Sequence, residues 1–399
     1  MNKIPNSDTF CVAPFIHQST KTDGKIKLCC RSLPEIGNLS STTLEEAWNN
    51  EIIRKVRLDL VNGIKNERCN ICWRHEAGNV TSLRNIFEQH ETPKNFDLSS
   101  IMNETGYVKS KVKWVELKLN NICNFSCRMC SPKDSTNWFK DWKHVSKFYN
   151  VQGNQEIENL GLTKKAYLGV EKNFVEKLNL SEIEHISFAG GEPLFDKMHY
   201  EVLEKCLDRA DKIKLSYATN LSMLTLGNHN VLEFWKKFKE IEISVSLDGP
   251  KEKNDYIRNG SDWKSIEENI KKLQLVTDNI LIIGKVTLQN TNIYYLPETL
   301  EWFNEMNIIY QMGYVEYPKW FDARMIPKKL KITISEKLND AHKKSNDIML
   351  LNAINYMNSE NLYTDELWSK FYKYHEALDK ERNQSLTEVF PIFKEFKNE

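Results

Sequence analysis

From residue 112 onward, short apolar runs alternate with longer amphipathic stretches. Runs rich in Val, Ile and Leu predict strands over 112–119, 184–189, 213–218, 241–247, 281–288 and 308–315. Apolar residues at helical spacing predict helices near 133–148, 163–178, 197–210, 230–239, 262–276 and 296–306. Strands separated by helices in this rhythm build parallel βα units. Their connections are right-handed and can close the sheet wholly or partly into a barrel. Six units instead of eight leave a side opening that suits a large substrate. The expected fold class is therefore α/β, a partial (β/α)6 TIM-like barrel over 110–322.

The pattern before residue 100 is different. Phe10-Cys11-Val-Ala-Pro-Phe-Ile-His and Lys25-Ile-Lys-Leu-Cys29-Cys30 flank Asp23-Gly24, which predicts a hairpin because the turn needs positive φ. Thr42 and Thr43, each three residues before a Glu, read as a capping box. The helix it opens should carry Leu44, Trp48, Ile52 and Val56 on one face and end near Gly63. A polar stretch over 88–110 reads as a linker, so 1–100 is expected to be a small α+β module. Residues 323–399 read as a helical extension, with Trp368, Phe371, Tyr372 and Tyr374 clustered. The extension should pack on the barrel, and its pattern leaves open whether it also covers the substrate opening.

Composition narrows the class. Hydrophobic residues are 40% of 399, enough for a sizeable core. Lys and Arg total 55 and Asp and Glu total 55, so no bulk attraction to nucleic acid or an acidic membrane is expected, although a local basic patch stays possible. There is no apolar run of membrane-spanning length, and the polar start does not read as a secretory signal. A cytoplasmic protein is expected. Nine cysteines, mostly clustered, then point to metal instead of disulfides.

Cys123-Asn-Phe-Ser-Cys127-Arg-Met-Cys130 puts three thiols in eight residues, just after the first barrel strand. Structural zinc wants four protein ligands, and disulfides want an even number. Three thiols can hold three irons of a [4Fe–4S] cube and leave the fourth open. Cys11, Cys29, Cys69 and Cys72 would make a closed four-thiolate site, and Cys69-Asn-Ile-Cys72 is a chelating loop. Ligand chemistry alone allows zinc or an iron–sulfur cluster there, and spacing puts zinc slightly ahead. Adjacent strand residues point to opposite faces, so Cys30 should be a spare when Cys29 is a ligand. Cys206 lies inside a helical pattern and reads as a core thiol. Gly190-Gly191-Glu192-Pro193, Thr219-Asn220, Ser246-Leu-Asp248-Gly249, Gln289-Asn290 and Glu316-Tyr317 fall after the later strands, where ligands of parallel α/β folds bind.

Cys-x3-Cys-x2-Cys after the first strand, with Gly-Gly-Glu-Pro after the second, resembles the radical S-adenosylmethionine (radical SAM) superfamily over about 112–318. The resemblance implies a [4Fe–4S] cluster on Cys123, Cys127 and Cys130, with SAM chelating the open iron. It places Gly190, Gly191 and Glu192 at the methionine amino group of SAM. Ser246, Asp248 and the downstream Arg258 resemble the segment that holds the SAM carboxylate in members that modify peptides, and a guanidinium can pair with it bidentately. Thr219 and Asn220 resemble a Thr-Asn near the ribose or methionine. Met129 stands where many members have an aromatic residue against the adenine, and methionine can make a similar soft contact. The spacing of Cys11, Gly24, Cys29, Cys69 and Cys72 resembles half of a SPASM extension, or its shorter form twitch. That favours an auxiliary [4Fe–4S] cluster over zinc. The departure is position: in most relatives the extension follows the barrel, and here it precedes it.

The resemblance implies an enzyme that cleaves SAM reductively to a 5′-deoxyadenosyl radical and abstracts a hydrogen from its substrate. It also implies an electron donor such as flavodoxin or ferredoxin. A peptide or protein side chain is the expected substrate. The alternatives are a small molecule (a nucleoside, sugar or cofactor precursor) or a non-catalytic metal-binding interaction protein. No winged helix for peptide docking is evident at the N-terminus.

Overall fold

The Asp23-Gly24 pair does turn a hairpin, with Gly24 at φ +78°. In this computed structural model, which describes residues 8–91, 97–149, 168–171, 173–276 and 279–397, β1 (His17–Thr20) pairs antiparallel with β2 (Lys25–Lys27), which pairs with β3 (Gly37–Asn38). Thr43 accepts from the Glu46 N–H and Glu46 returns the bond, which completes the capping box. The helix it starts is short. Asn50 caps a second helix, so Leu44–Trp48 and Glu51–Val61 are separate. That break shifts the phase: Ile53, Val56, Arg57 and Leu60 face inward and Ile52 is exposed, contrary to the expected face. Residues 97–110 are tied to this module: Asn49 donates to the Val108 carbonyl, Trp48 to Ser110 and Arg57 to Gly106.

β4 (Trp114–Lys118), β5 (His185–Ala189) and β6 (Lys214–Thr219) follow. A small ribbon comes next, β7 (Thr225–Leu226) with β8 (His229–Asn230). Then come β9 (Glu240–Ser246), β10 (Ile280–Leu288) and β11 (Ile309–Tyr314). The described residues form one sheet in the order β11-β10-β9-β6-β5-β4-β1-β2-β3, parallel from β11 through β1. The six barrel strands lie within about one or two residues of the expected positions. The N-terminal hairpin continues the barrel sheet: His17, Gln18 and Ser19 stand opposite Trp114, Val115 and Glu116.

Each barrel strand has two unlike faces. Val115, Leu117, Ile186, Phe188, Leu215, Tyr217, Ile241, Ile243 and Val245 are buried on the outer face. The alternate residues line a cavity of about 460 Å³ and are mostly polar: Glu116, Lys118, His185, Ser187, Ser216 and Glu242. Six strands bend around more space than their side chains fill, unlike a closed eight-stranded barrel.

The helices Trp263–Val276 and Leu296–Glu305 match expectation. The stretch 133–148 does not form one helix. It breaks into turns over Thr136–Lys140, Trp142–Val145 and Ser146–Tyr149, with Trp138 and Trp142 fully buried and Asp141 held by Arg382. Of the expected helix 163–178, Phe174–Lys177 is helical, and residues 163–167 and 172 lie outside the described residues. The extension is helical over Lys328–Ser345, Ile348–Asn358 and Asp365–Arg382.

Candidate functional site

The loop carrying Cys123, Cys127 and Cys130 leaves the C-terminal end of β4. Its thiols are buried or half-buried and the Phe125 N–H points at Cys123 Sγ, 3.4 Å away. Burial pushes the Cys123 thiol up. The contact between Cys127 and Cys130 lowers the first and raises the second.

Three separate segments grip this loop. The first is the turn after β5. Gly191 N–H donates to Asn120 O at 3.1 Å and Glu192 N–H to Ile122 O at 2.7 Å. A Cβ on Gly191 would sit 2.0 Å from Ile122 O. What these glycines admit so closely is the backbone of the cysteine loop itself. The second is the segment after β9. Ser126 N–H donates to Asn259 O and Arg128 N–H to Ile257 O, both at 2.8 Å. Gly260, at φ +99°, lies where a Cβ would press on Asn124 O and Phe125.

The third is the Asp365–Arg382 helix. Arg128, between two of the cysteines, is fully buried. It donates to Asp379 at 2.5 Å, Gln384 at 2.8 Å and Tyr256 O at 3.0 Å, and stacks 3.7 Å from the Tyr256 ring centroid. Tyr374 OH donates to Arg128 O at 2.9 Å, and Arg382 donates to Ser126 O at 3.0 Å. Burial, Arg128 and Arg382 keep His375 neutral, well below its ordinary value. The extension is thus the back wall of the cysteine loop. Arg128 was legible as a charge inside the motif, but its partners 247 to 256 positions away were not.

Glu192 is the hub of the neighbouring loops. Its carboxylate accepts from Thr219 OH at 2.5 Å, Asn220 N–H at 2.7 Å and Leu194 N–H at 3.1 Å. Burial raises it to about 7, against these three bonds. Thr219 and Asn220 are themselves buried, and Asn220 also donates to Asn124 in the cysteine loop at 2.9 Å. Asp248 is fully buried. One oxygen accepts from Thr287 N–H at 2.8 Å and the other lies 2.8 Å from Arg258 Nε, a charge contact without hydrogen-bond alignment. Burial opposes charge on Arg258, but Asp248, Cys127 and Cys130 outweigh it and hold the guanidinium charged. Ser246 and Met129 are half-buried near these elements. The structure therefore brings Glu192, Thr219, Asn220 and Asn124 into one bonded group, with Gly190 and Gly191 packed on the backbone of the cysteine loop and Arg258 near Cys127 and Cys130.

These residues fit an iron–sulfur cluster with an open position and a zwitterionic ligand. The three buried or half-buried thiols have a fixed cation nearby, which favours thiolate, and the buried Glu192 carboxylate is close enough to act on Cys123. Gln289, fully buried after β10, leaves both amide atoms without partners, a cost of about 1–3 kcal/mol that a polar ligand would relieve.

The second thiol set lies at the other end of the barrel. Cys11 precedes β1 and Cys29 follows β2, so both flank the N-terminal end of the parallel strands. Cys11, Cys29, Cys69 and Cys72 line one apolar pocket with Leu28, Leu83 and Phe87. Burial raises all four thiols, and the N–H groups of Ala13, Arg31 and Arg84 favour the thiolates of Cys11, Cys29 and Cys72. A buried set of four acidifiable sulfurs fits a closed four-ligand centre. Cys30 turns away from this pocket. It lines the barrel cavity with Arg31, and burial pushes its thiol up to about 11. Cys206 is buried on the outside of the barrel, remote from both sets. The N-terminal module is tied to the top of β11 as well: Glu316 accepts from His75 at 3.0 Å and Arg74 at 3.2 Å, and His75 lowers it to about 2.

Residues 117–303 match the radical SAM superfamily, and residues 11–73 match SPASM, an iron–sulfur cluster-binding domain. Among solved structures, anSMEcpe with bound AdoMet is 16% identical with a TM-score of 0.35, over 60% of this chain and 61% of that one. SuiB of Streptococcus suis bound to S-adenosylmethionine is 16% identical with a TM-score of 0.35, over 74% of this chain and 62% of that one. TYW1 with a lysine–pyruvate adduct is 13% identical with a TM-score of 0.32, over 56% of this chain and 70% of that one. The matched region thus spans less than two thirds of the first two structures. No curated protein matches the chain.

Proposed function

Starting from a chain that is a radical SAM enzyme with an N-terminal SPASM-type iron–sulfur domain, we propose that it oxidises a peptide or protein side chain held between two clusters. The observation that supports this reading is the pair of separate thiol sets on one sheet, Cys123, Cys127 and Cys130 after the C-terminal end of β4 and Cys11, Cys29, Cys69 and Cys72 in a pocket beside the N-terminal end of β1, while the inward strand residues line a polar cavity of about 460 Å³. Cys123, Cys127 and Cys130 would hold the SAM-binding [4Fe–4S] cluster. Cys11, Cys29, Cys69 and Cys72 would hold a fully ligated auxiliary one. Bound there, the first cluster with SAM would supply a 5′-deoxyadenosyl radical, and the second would supply a one-electron acceptor.

The chain's own residues then divide the work. Arg258, kept charged by Asp248, would pair with the SAM carboxylate, and Glu192 would accept from the SAM ammonium. Thr219 and Asn220 hold Glu192 in place. Ser246 would meet the SAM carboxylate, and Met129 would make a soft contact with the adenine. The strand-borne cavity walls keep the substrate in line and limit water.

Anaerobic reconstitution tests the assignment. The wild type should carry about eight irons per chain and release 5′-deoxyadenosine from SAM. Cys69→Ala with Cys72→Ala should halve the iron and keep SAM cleavage, while Cys123→Ala should abolish cleavage. A double variant with full iron, or a Cys123→Ala variant that still cleaves SAM, would sink the two-site reading.

A further inference from the structure

Two cations at the cavity have no carboxylate partner among the described residues. Glu116 pairs with Lys118 at 3.3 Å, and Glu242 pairs with Lys214 at 2.9 Å. Lys214 also takes Glu240 at 3.1 Å. Each acid facing inward therefore has a lysine. Two cations are left over. Arg31, carried in from the N-terminal module, lines the cavity and makes no ion pair among the described residues. Lys285 on β10 stands opposite Ser246 on β9, on the inward face. Its Nζ donates to the neutral Gln311 at 3.0 Å and to no carboxylate among the described residues. Lys27 adds a third cation nearby, but its Nζ is bound to Cys30 O at 2.6 Å. Burial, and then the Arg31 charge, hold the Lys285 ammonium below its ordinary value. The two cations therefore lie near enough to sense each other, and Cys30 and Glu242 offset that repulsion only in part.

The rest of the lining adds no negative charge. His185 is kept neutral by burial and Lys214, bonds Ser216 at 2.6 Å and stacks on Trp114. The cavity walls are strands, whose N–H groups are used in the sheet ladder. They offer no backbone cradle of the kind that holds phosphate dianions. A guanidinium fork with one ammonium suits a planar carboxylate.

We propose that Arg31 and Lys285 clamp a carboxylate of the peptide substrate, one cation from each domain, so that the N-terminal module selects substrate as well as ligating metal. This rests on the peptide-modifying reading above. The clamp would fix an acidic residue, or the chain terminus, at a set distance from the carbon that reacts.

The test uses the reconstituted holoenzyme with SAM and four probes followed by titration calorimetry. The probes are N-acetyl-Gly-Asp-Gly-amide, its Asn counterpart, N-acetyl-Gly-Gly-Gly with a free C-terminus, and inorganic phosphate. Binding of the Asp probe or of the free terminus, with the Asn probe at least about tenfold weaker, supports the clamp and names the source of the carboxylate. Lys285→Met and Arg31→Met should each weaken that binding about tenfold, and Lys285→Arg should restore it. Equal binding of the Asp and Asn probes overturns the proposal. So does preference for phosphate, absence of binding by every probe, or a Lys285→Met variant that loses SAM affinity in place of probe affinity. Iron content and 5′-deoxyadenosine release, measured on the same preparations, report separately on the radical SAM reading. Full iron in Arg31→Met shows that the neighbouring cysteine pocket is intact.

Discussion

The two thiol sets solve the same problem in opposite ways. Cys123, Cys127 and Cys130 come from eight consecutive residues, yet almost everything that shapes their loop comes from elsewhere: Gly191, Asn259, Gly260, Tyr374 and Arg382. Cys11, Cys29, Cys69 and Cys72 come from three distant segments, yet converge on a pocket walled mainly by their own neighbours Leu28, Leu83 and Phe87. The first set is local in sequence and long-range in support. The second is the reverse. A site that must admit a substrate on one side cannot be sealed by apolar packing, so its loop is held by hydrogen bonds to backbone. A closed site can be sealed.

Long-range substitutions should therefore damage the first set and spare the second. The largest effect is expected for Gly191→Ala. The added Cβ would meet backbone at 2.0 Å, with no flexible side chain to yield. A cost on the order of 4 kcal/mol is expected, read as a lowered barrel Tm with loss of the SAM-site cluster and retention of the N-terminal one. Arg128→Met should come next. It leaves Asp379, Gln384 and the Tyr256 carbonyl without their shared donor, at about 3 kcal/mol. Denaturant unfolding measures it, and equal loss of both clusters would show that the two sets are supported alike.

The smallest effect is a pH dependence. Glu192 is raised to about 7, so its folded-state carboxyl binds a proton that the unfolded chain has lost. Its contribution to stability is therefore greatest at low pH and declines as pH rises from the ordinary carboxyl range through about 7. SAM binding runs the other way, because the ammonium wants the carboxylate. Affinity should weaken about tenfold per pH unit below the folded value and level off above it. Glu192→Gln should flatten the profile in a titration calorimetry series.

What could be read in advance follows the same division. The six barrel strands were legible because alternation and β-branching are local signals, and the thiol spacing was legible for the same reason. The break at Asn49–Asn50 was not, because a helix-wide apolar pattern outweighed two residues whose capping depends on the turn they end up in. The 133–148 stretch failed for a tertiary reason, since Trp138, Trp142 and Asp141 are fixed by contacts across the chain. Arg128 and its partners on the Asp365–Arg382 helix, and the pairing of β1 with β4, join positions separated by about a hundred residues or more. No window of sequence contains both halves of such a pair.

The pairing of β1 with β4 has a consequence for how the protein can be divided. β4 is the first strand of the barrel, and β1 occupies the flank that would otherwise end the sheet. Cutting the chain after the N-terminal module would strip that flank and expose a row of unpaired N–H and C=O groups, a template for aggregation. The module, for its part, would lose the neighbour that holds its hairpin flat. The seam between the two cofactor-binding halves is thus a shared row of backbone hydrogen bonds, and evolution could exchange one half for another only by also supplying a strand to close the wound.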